Sequence, residues 1–132
     1  DIITEDHLNN DIINYGIPMI EKIFEIIDYF NPDYYIIENP STGRMKEYIN
    51  DLIPYYDIDY CKYSDWGYKK TTRFWTNIEG VEFARCKNDC KHIVNGKHKT
   101  DVSIVKGCGS SKRLKRYRIP PKVIEMLFNN IN

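Results

Sequence analysis

The stretch DYYIIENP, residues 33–40, sets a carboxylate and an amide, Glu38 and Asn39, directly behind an apolar run that Pro40 closes. Ligands of open α/β sheets gather at the carboxyl ends of strands. A glutamate there, walled by Ile36 and Ile37, has its pKa raised by burial. It can then hold a proton for a ring nitrogen or grip the hydrogen-bonding edge of a flipped base. The same residues also suit a solvated turn in which Asn39 caps the next helix.

A second group is Cys86-x-x-x-Cys90-x-His92, followed by His98 and Cys108. Zinc takes four thiolate and imidazole ligands, and five candidates fall in this one stretch. The best set is Cys86, Cys90 and His98, with His92 or Cys108 as the fourth; the alternative is a surface loop of unpaired thiols. A third group is basic: Lys97, Lys99, Lys106, Lys112, Arg113, Lys115, Arg116 and Arg118, with Asp101 the one acid among them. Interspersed glycine and serine let backbone approach phosphates, and cations at this density favour DNA through counterion release. A solvated charged loop has the same composition.

The elements that must position these groups alternate between helix and strand. Ile20, Ile23, Phe24, Ile27 and Phe30 recur at helical spacing opposite Glu21, Lys22, Glu25 and Asp28, which predicts a core-facing helix. Pro18 suits its first turn, and Asn31-Pro32 stops it. Tyr34 to Ile37 reads as a strand covered on both faces. STGRMKEYINDLI then reads as a helix capped by Ser41 or Thr42, and Pro54 breaks it. YYDIDYCKY is a second strand holding Cys61 as a core thiol, SDWGY a turn, and KKTTRFWTNI a third strand closing a hairpin.

Residues 79–118 lose periodicity, the mark of a functional or metal-held insert. In IPPKVIEMLF, Pro120 and Pro121 start a helix that docks Val123, Ile124, Leu127 and Phe128 on the body. Three parts follow: a body over 1–78, a Cys/His-containing basic insert over 79–118, and a returning helix over 119–132.

Taken in order, the strand ending in ENP, the GRM helix start, YCKYSDWGYKKTTRFWTN and RIPPKVIEMLF resemble the C-terminal half of cytosine-5 DNA methyltransferases, most of all their compact phage and large-virus branch. The family's Glu-Asn-Val motif stands here as Glu38-Asn39-Pro40. Its Gln-x-Arg-x-Arg motif is replaced by Lys70-Thr71-Thr72-Arg73, leading into Phe74-Trp75-Thr76-Asn77. The likeness covers most of residues 20–78 and the RIPP helix.

The resemblance implies an α/β fold: the C-terminal half of a Rossmann-like methyltransferase sheet, ordered helix, strand, helix and strand hairpin. The chain would supply the last three strands, one antiparallel, and an irregular basic insert, open to being held by zinc, where the family places its target-recognition segment. It implies that Glu38, beside Asn39, contacts the N3 edge of a flipped cytosine. Lys70 and Arg73 would organise the site and hold the glutamate, with Thr72 as a supporting hydroxyl. It also implies DNA as partner, S-adenosylmethionine as methyl donor and a viral or phage setting.

Two departures qualify the activity. No Pro-Cys dipeptide supplies the family's nucleophile, and no glycine-rich strand-to-helix turn supplies its cofactor site. The expectation is therefore a fragment, a split subunit or a decayed copy, inactive alone and completed by an upstream cofactor-binding half. The alternative is a non-catalytic, zinc-stabilised DNA-binding module derived from a methyltransferase.

Composition agrees with an intracellular, DNA-facing protein. The 132 residues are 42% hydrophobic and 29% charged, enough for one domain with a modest core. No run of eighteen apolar residues could span a membrane, and no basic and apolar leader marks secretion, so the four cysteines read as thiols or metal ligands. The zero net charge hides a split. Residues 1–60 carry 13 acids against 3 bases, and residues 61–132 carry 16 bases against 6 acids. Such polarity points the second half toward an anion, unless the halves simply attract each other.

Overall fold

The computed structural model describes residues 2–101 and 110–131, with 110–113 described by backbone alone. Helix α1 (Glu5–Asp11) passes through a π turn at Ile12–Gly16 into α2 (Ile17–Phe30). Thr4 and His7 cap α1 reciprocally, so helix begins well before Pro18. The π turn has a cause in the sequence. Pro18 lacks an N–H, and its ring would strike the carbonyl four residues back; widening the preceding turn, with the Ile17 N–H reaching Ile12 O, relieves both. Asn31, left-handed at φ 43°, ends α2.

Strand β1 (Ile36–Pro40), helix α3 (Lys46–Ile49), strand β2 (Tyr55–Asp59) and strand β3 (Thr71–Thr76) follow. Together the three strands form a sheet in the order β1-β3-β2, with β3 antiparallel to both neighbours. Strands β1 and β2 therefore run the same way, and α3 carries the chain between them. A second, two-stranded sheet pairs β4 (Ile93–Val94) with β5 (Lys97–His98). Helices α4 (Ser110–Tyr117) and α5 (Pro121–Phe128) complete the described chain, a mixed α/β fold with small antiparallel sheets. No helix of the described residues is long and apolar enough to cross a membrane.

Period-two alternation divides β3 between two cores. Phe74 joins Ile58, Tyr60, Ile78, Val81, Val123 and Leu127 on the face that α5 covers. Trp75 joins Ile49 and Ile53 on the other face, with Ile20 and Phe24 of α2 packed against them. Ile36 serves the first core and Ile37 the second, which explains why consecutive apolar residues occur in β1.

Several boundaries differ from the sequence expectation. Strand β1 runs through Glu38 and Asn39, because β3 offers ladder partners as far as Thr72, and Pro40 falls at the end of a strand that among the described residues is paired on one side, where its missing N–H costs nothing. Residues 41–53 contain only the four-residue helix α3, whose N-cap Met45 supplies no side-chain bond; Ser41 and Thr42 lie outside it. The second strand stops at Asp59, and Cys61 sits in the 3-10 turn Tyr60–Lys62 that follows. Phe30 and Phe128, at the ends of their helices, remain exposed beyond the reach of the cores.

Candidate functional site

Glu38 opens into a cleft of about 610 Å³ bounded by Asn39, Pro40, Ser41, Thr42, Lys69, Lys70, Thr71, Arg116 and Tyr117. The ladder places it: Glu38 pairs with Phe74 and Pro40 with Thr72, so Glu38 and Thr72 share a sheet face. Glu38 is exposed, lining this cleft and also a second one bounded by Ile12, Met19, Ile20 and Met45. Protein packed around the carboxylate still costs it some hydration and raises its pKa above the usual range, while the nearby Lys70 charge draws it back in part. Burial likewise lowers Lys70, against the opposing pull of Glu38.

Beneath this pair lie the hydroxyls of Tyr60 and Thr72. Both residues are fully buried, and their hydroxyls turn toward each other with no further hydrogen-bond partner among the described residues. Burial pushes the Tyr60 phenol well up, and Glu38 adds to that effect. The Lys70 ammonium sits 5.5 Å from the centre of the Tyr60 ring. A carboxyl with a raised pKa, an ammonium with a lowered one and two buried hydroxyls beneath them form a site suited to polar atoms.

One rim of the cleft is helix α4. The Lys70 ammonium donates to Arg116 O (2.5 Å), and the Tyr68 hydroxyl donates to Lys115 O (3.5 Å). These contacts satisfy carbonyls at the negative end of the α4 dipole and fasten a basic helix beside Glu38. Lys115 is exposed; Arg118 lays its guanidinium over the Trp66 ring at 3.7 Å. Lys97 and Lys99 are exposed on and beside the β4–β5 hairpin. Lys106 and Cys108 lie outside the described residues, as do the side chains of Lys112 and Arg113.

Arg73 takes a different place from the one the resemblance implies. Opposite Asn39 in the ladder, it faces away from Glu38, pairs with Asp57 through two bonds of 2.7 and 2.8 Å, and reaches Asn50 at 3.1 Å. Its guanidinium also stacks on Tyr55 at 3.9 Å. Lys70 and Thr72, two residues apart, share Glu38's side of the sheet, and Arg73 cannot. That alternation was readable from the sequence once the strand was assigned. Asn39 has its carboxamide oxygen against Gly43, whose missing side chain leaves room for it. Asn77 bonds Tyr35 N and Asp33 O, a structural brace for the entry to β1.

Of the cysteines and histidines, the structure gathers Cys61, Cys86, Cys90 and His98, whose donor atoms all lie within 4.8 Å of one another. His92 stands apart: it is buried and its Nε2 contacts Ser64 O at 2.7 Å. Cys61 is buried as a core thiol should be, yet its sulfur points into this group; its separation of 25 residues from Cys86 hid it from any spacing rule. Burial raises the Cys61 thiol. Burial also pushes Cys86 up, but a hydrogen bond from Cys61 and backbone N–H groups of Asp89 and Asn88 outweigh it, for a net lowering. His98 is lowered by burial and by the nearby Lys69, which favours neutral imidazole.

The chain is 41% identical, over 96% of its length, to a protein of Frog virus 3 (isolate Goorha) described as "Probable DNA (cytosine-5)-methyltransferase". The chain is similar to the C-terminal part of that viral protein. It spans 63% of the relative's length. No family model and no solved structure matches the chain. The aligned region takes in the Glu38 cleft, α4 and the Cys/His group alike, since it leaves only 4% of the chain outside it.

Proposed function

We propose that this chain is the C-terminal portion of an S-adenosylmethionine-dependent DNA (cytosine-5)-methyltransferase, and that Glu38 receives the edge of a flipped cytosine. The observation that carries the reading is the Glu38 carboxyl, raised above its usual range, lining the cleft with Lys70 beside it and the buried Tyr60 and Thr72 hydroxyls below. A carboxyl whose pKa is raised can share a proton with N3 of cytosine, and a cleft of about 610 Å³ has the size of a small-molecule pocket. Asn39 holds the following turn against Gly43, Lys70 positions Glu38, and Thr72 supplies a hydroxyl below it. Arg73 acts from the opposite face as a brace for β2 and β3.

The sheet supports a Rossmann-like reading in which these are the last strands, with β3 running antiparallel between two parallel neighbours. Strand β1 pairs on one side alone among the described residues, where an upstream half would continue the sheet. The turn after β1 is filled by Asn39 and closed by the Gly43 N–H to Pro40 O bond, so it offers no cradle for an adenosyl group. S-adenosylmethionine and the nucleophilic cysteine are assigned to the upstream part, and no step through the cofactor is derived from this chain.

Substrate DNA lies along the basic rim. Lys97, Lys99, Lys115, Arg116 and Arg118, joined by Lys112 and Arg113 of α4, supply cations for its phosphates. An enzyme of this kind works inside a virus-infected cell.

A second reading, a non-catalytic DNA-binding module held by zinc, is favoured by the Cys61, Cys86, Cys90 and His98 group. One experiment separates the two. The full-length gene product should form a covalent adduct with 5-fluorocytosine DNA. In the same protein Glu38→Gln should lower methyl transfer by about 10²–10⁴-fold with a far smaller loss of DNA binding. Absence of the adduct, with DNA binding retained, would decide for the second reading; equal losses in both functions would remove the role given to Glu38.

A further inference from the structure

The four convergent donors come from three separate pieces of chain, each built to deliver one or two of them. Cys61 lies in the 3-10 turn that closes β2, fixed by the Tyr63 N–H to Tyr60 O bond. Cys86 and Cys90 flank a tight loop turned by Asn88 at φ 58°, with the Lys87 N–H bonded to the Asp89 carboxylate. The backbone N–H groups of Asn88 and Asp89 point at the Cys86 sulfur, an arrangement that suits a thiolate. His98 is the end of β5, and the β4–β5 hairpin is turned by Asn95 (φ 52°) and Gly96 (φ 75°), the pair that a two-residue primed turn demands.

The distances fit a metal. His98 Nε2 lies 3.5 Å from Cys86 Sγ and 3.4 Å from Cys90 Sγ. A tetrahedral zinc with bonds of about 2.3 Å to sulfur and about 2.0 Å to nitrogen sets its S···N edges at about 3.5 Å. We propose that Cys61, Cys86, Cys90 and His98 form a structural zinc site that staples the irregular insert to the end of the central sheet. Three thiolates and one imidazole leave no position open for water, so the site is closed and non-catalytic.

The surroundings complete it. The Cys86 N–H donates to the fully buried Asp59 carboxylate at 2.8 Å, and Cys86 O accepts from the Lys69 ammonium at 3.1 Å. Arg85 and Thr71 also bond Asp59, so the loop before the thiolates is tied to both β2 and β3. Such outer contacts orient ligands and hold the shape of a site. Residues 79–101 contain only two two-residue strands, little structure to hold a fold by itself, and a bound ion supplies the missing order. Because Cys61 follows Tyr60, and Lys69 precedes Lys70, the staple also steadies the floor of the Glu38 cleft.

This inference stands apart from the methyltransferase reading, and its test has no activity in it. The purified chain, kept reduced, should contain about one zinc per molecule. Cobalt(II) in its place should show thiolate charge-transfer absorption and the intense d–d bands of a tetrahedral site. Thiol titration should find Cys61, Cys86 and Cys90 protected in the metal-bound protein and released to reagent by chelation. Cys61→Ser should weaken zinc binding at least about tenfold, and His92→Gln should leave it within about twofold. The thiol count on the unmutated protein guards against variants that fail to fold. Sub-stoichiometric metal, release of any number of thiols other than three on chelation, a disulfide in the reduced preparation, or loss of zinc in His92→Gln with retention in Cys61→Ser would each overturn the site.

Discussion

Glu38 and Arg73 stand one ladder step apart and face opposite sides of the sheet, Glu38 toward Lys70 and Tyr60, Arg73 toward Asp57 and Asn50. Two residues that a motif would join in one site therefore do separate work. The Arg73–Asp57 pair is largely buried, with side chains 12% and 19% exposed. Arg73→Ala removes both short bonds to Asp57 and leaves it, among the described residues, only the longer Arg85 contact at 3.8 Å, which should cost about 1–3 kcal/mol, read from the midpoint of urea unfolding. Asp57→Ala should cost a similar amount, and the double variant less than the sum of the two.

Asn50 holds that face together through one oxygen, which accepts from Arg73 at 3.1 Å and from the Trp75 indole at 2.9 Å. Asn50→Ala leaves a covered guanidinium and a buried indole each short of a bond. The expected loss is about 1–3 kcal/mol. Asn50→Asp should lose less, because a carboxylate accepts both bonds.

The raised Glu38 carboxyl makes a prediction of unusual sign. A group that binds its proton more tightly folded than unfolded lowers stability as pH rises through and above its unfolded value. Glu38→Gln removes that penalty. The variant should be more stable than the parent at neutral pH, and the gain should fade as the solution is acidified toward the ordinary glutamate range of about 4. Denaturation of both proteins across this range measures it, and a variant less stable at neutral pH would contradict the raised carboxyl.

Gly96 has open space around it and a φ of 75°, so its side-chain position is constrained by backbone conformation alone. Gly96→Val should cost about 1–2 kcal/mol through the left-handed backbone, and Gly96→Asn distinctly less. Both effects should be seen together in unfolding and in cobalt affinity, since the hairpin carries His98.

On the basic rim, Lys115 is exposed beside a carbonyl that Tyr68 anchors. Lys115→Ala should weaken binding to all DNA sequences alike and reduce the slope of log affinity against log salt by about 0.9. A filter-binding or anisotropy series over salt concentration checks it. An unchanged slope would place the phosphate contact on other cations.

Part of the charge split was spent inside the protein. Asp57 and Asp59 of the acidic half pair with Arg73 and Arg85 of the basic half, while Lys97, Lys99 and Lys115 remain exposed. Net charge by segment could not separate these uses, because it is blind to which cations find a carboxylate across the fold.

What the sequence determined by itself was local and periodic. Helical spacing marked Ile20, Ile23 and Phe24, consecutive Ile36 and Ile37 announced a strand covered on both faces, and the ordered motifs carried the methyltransferase likeness. The tertiary structure decided what depends on contacts far apart in the chain. Ladder pairing drew Glu38 and Asn39 into β1, and set Arg73 on the far face from Glu38. Folding brought Cys61 to Cys86, Cys90 and His98 and gave His92 to Ser64 instead. Spacing rules see neighbours along the chain, and a metal sees only donor atoms a few ångströms apart.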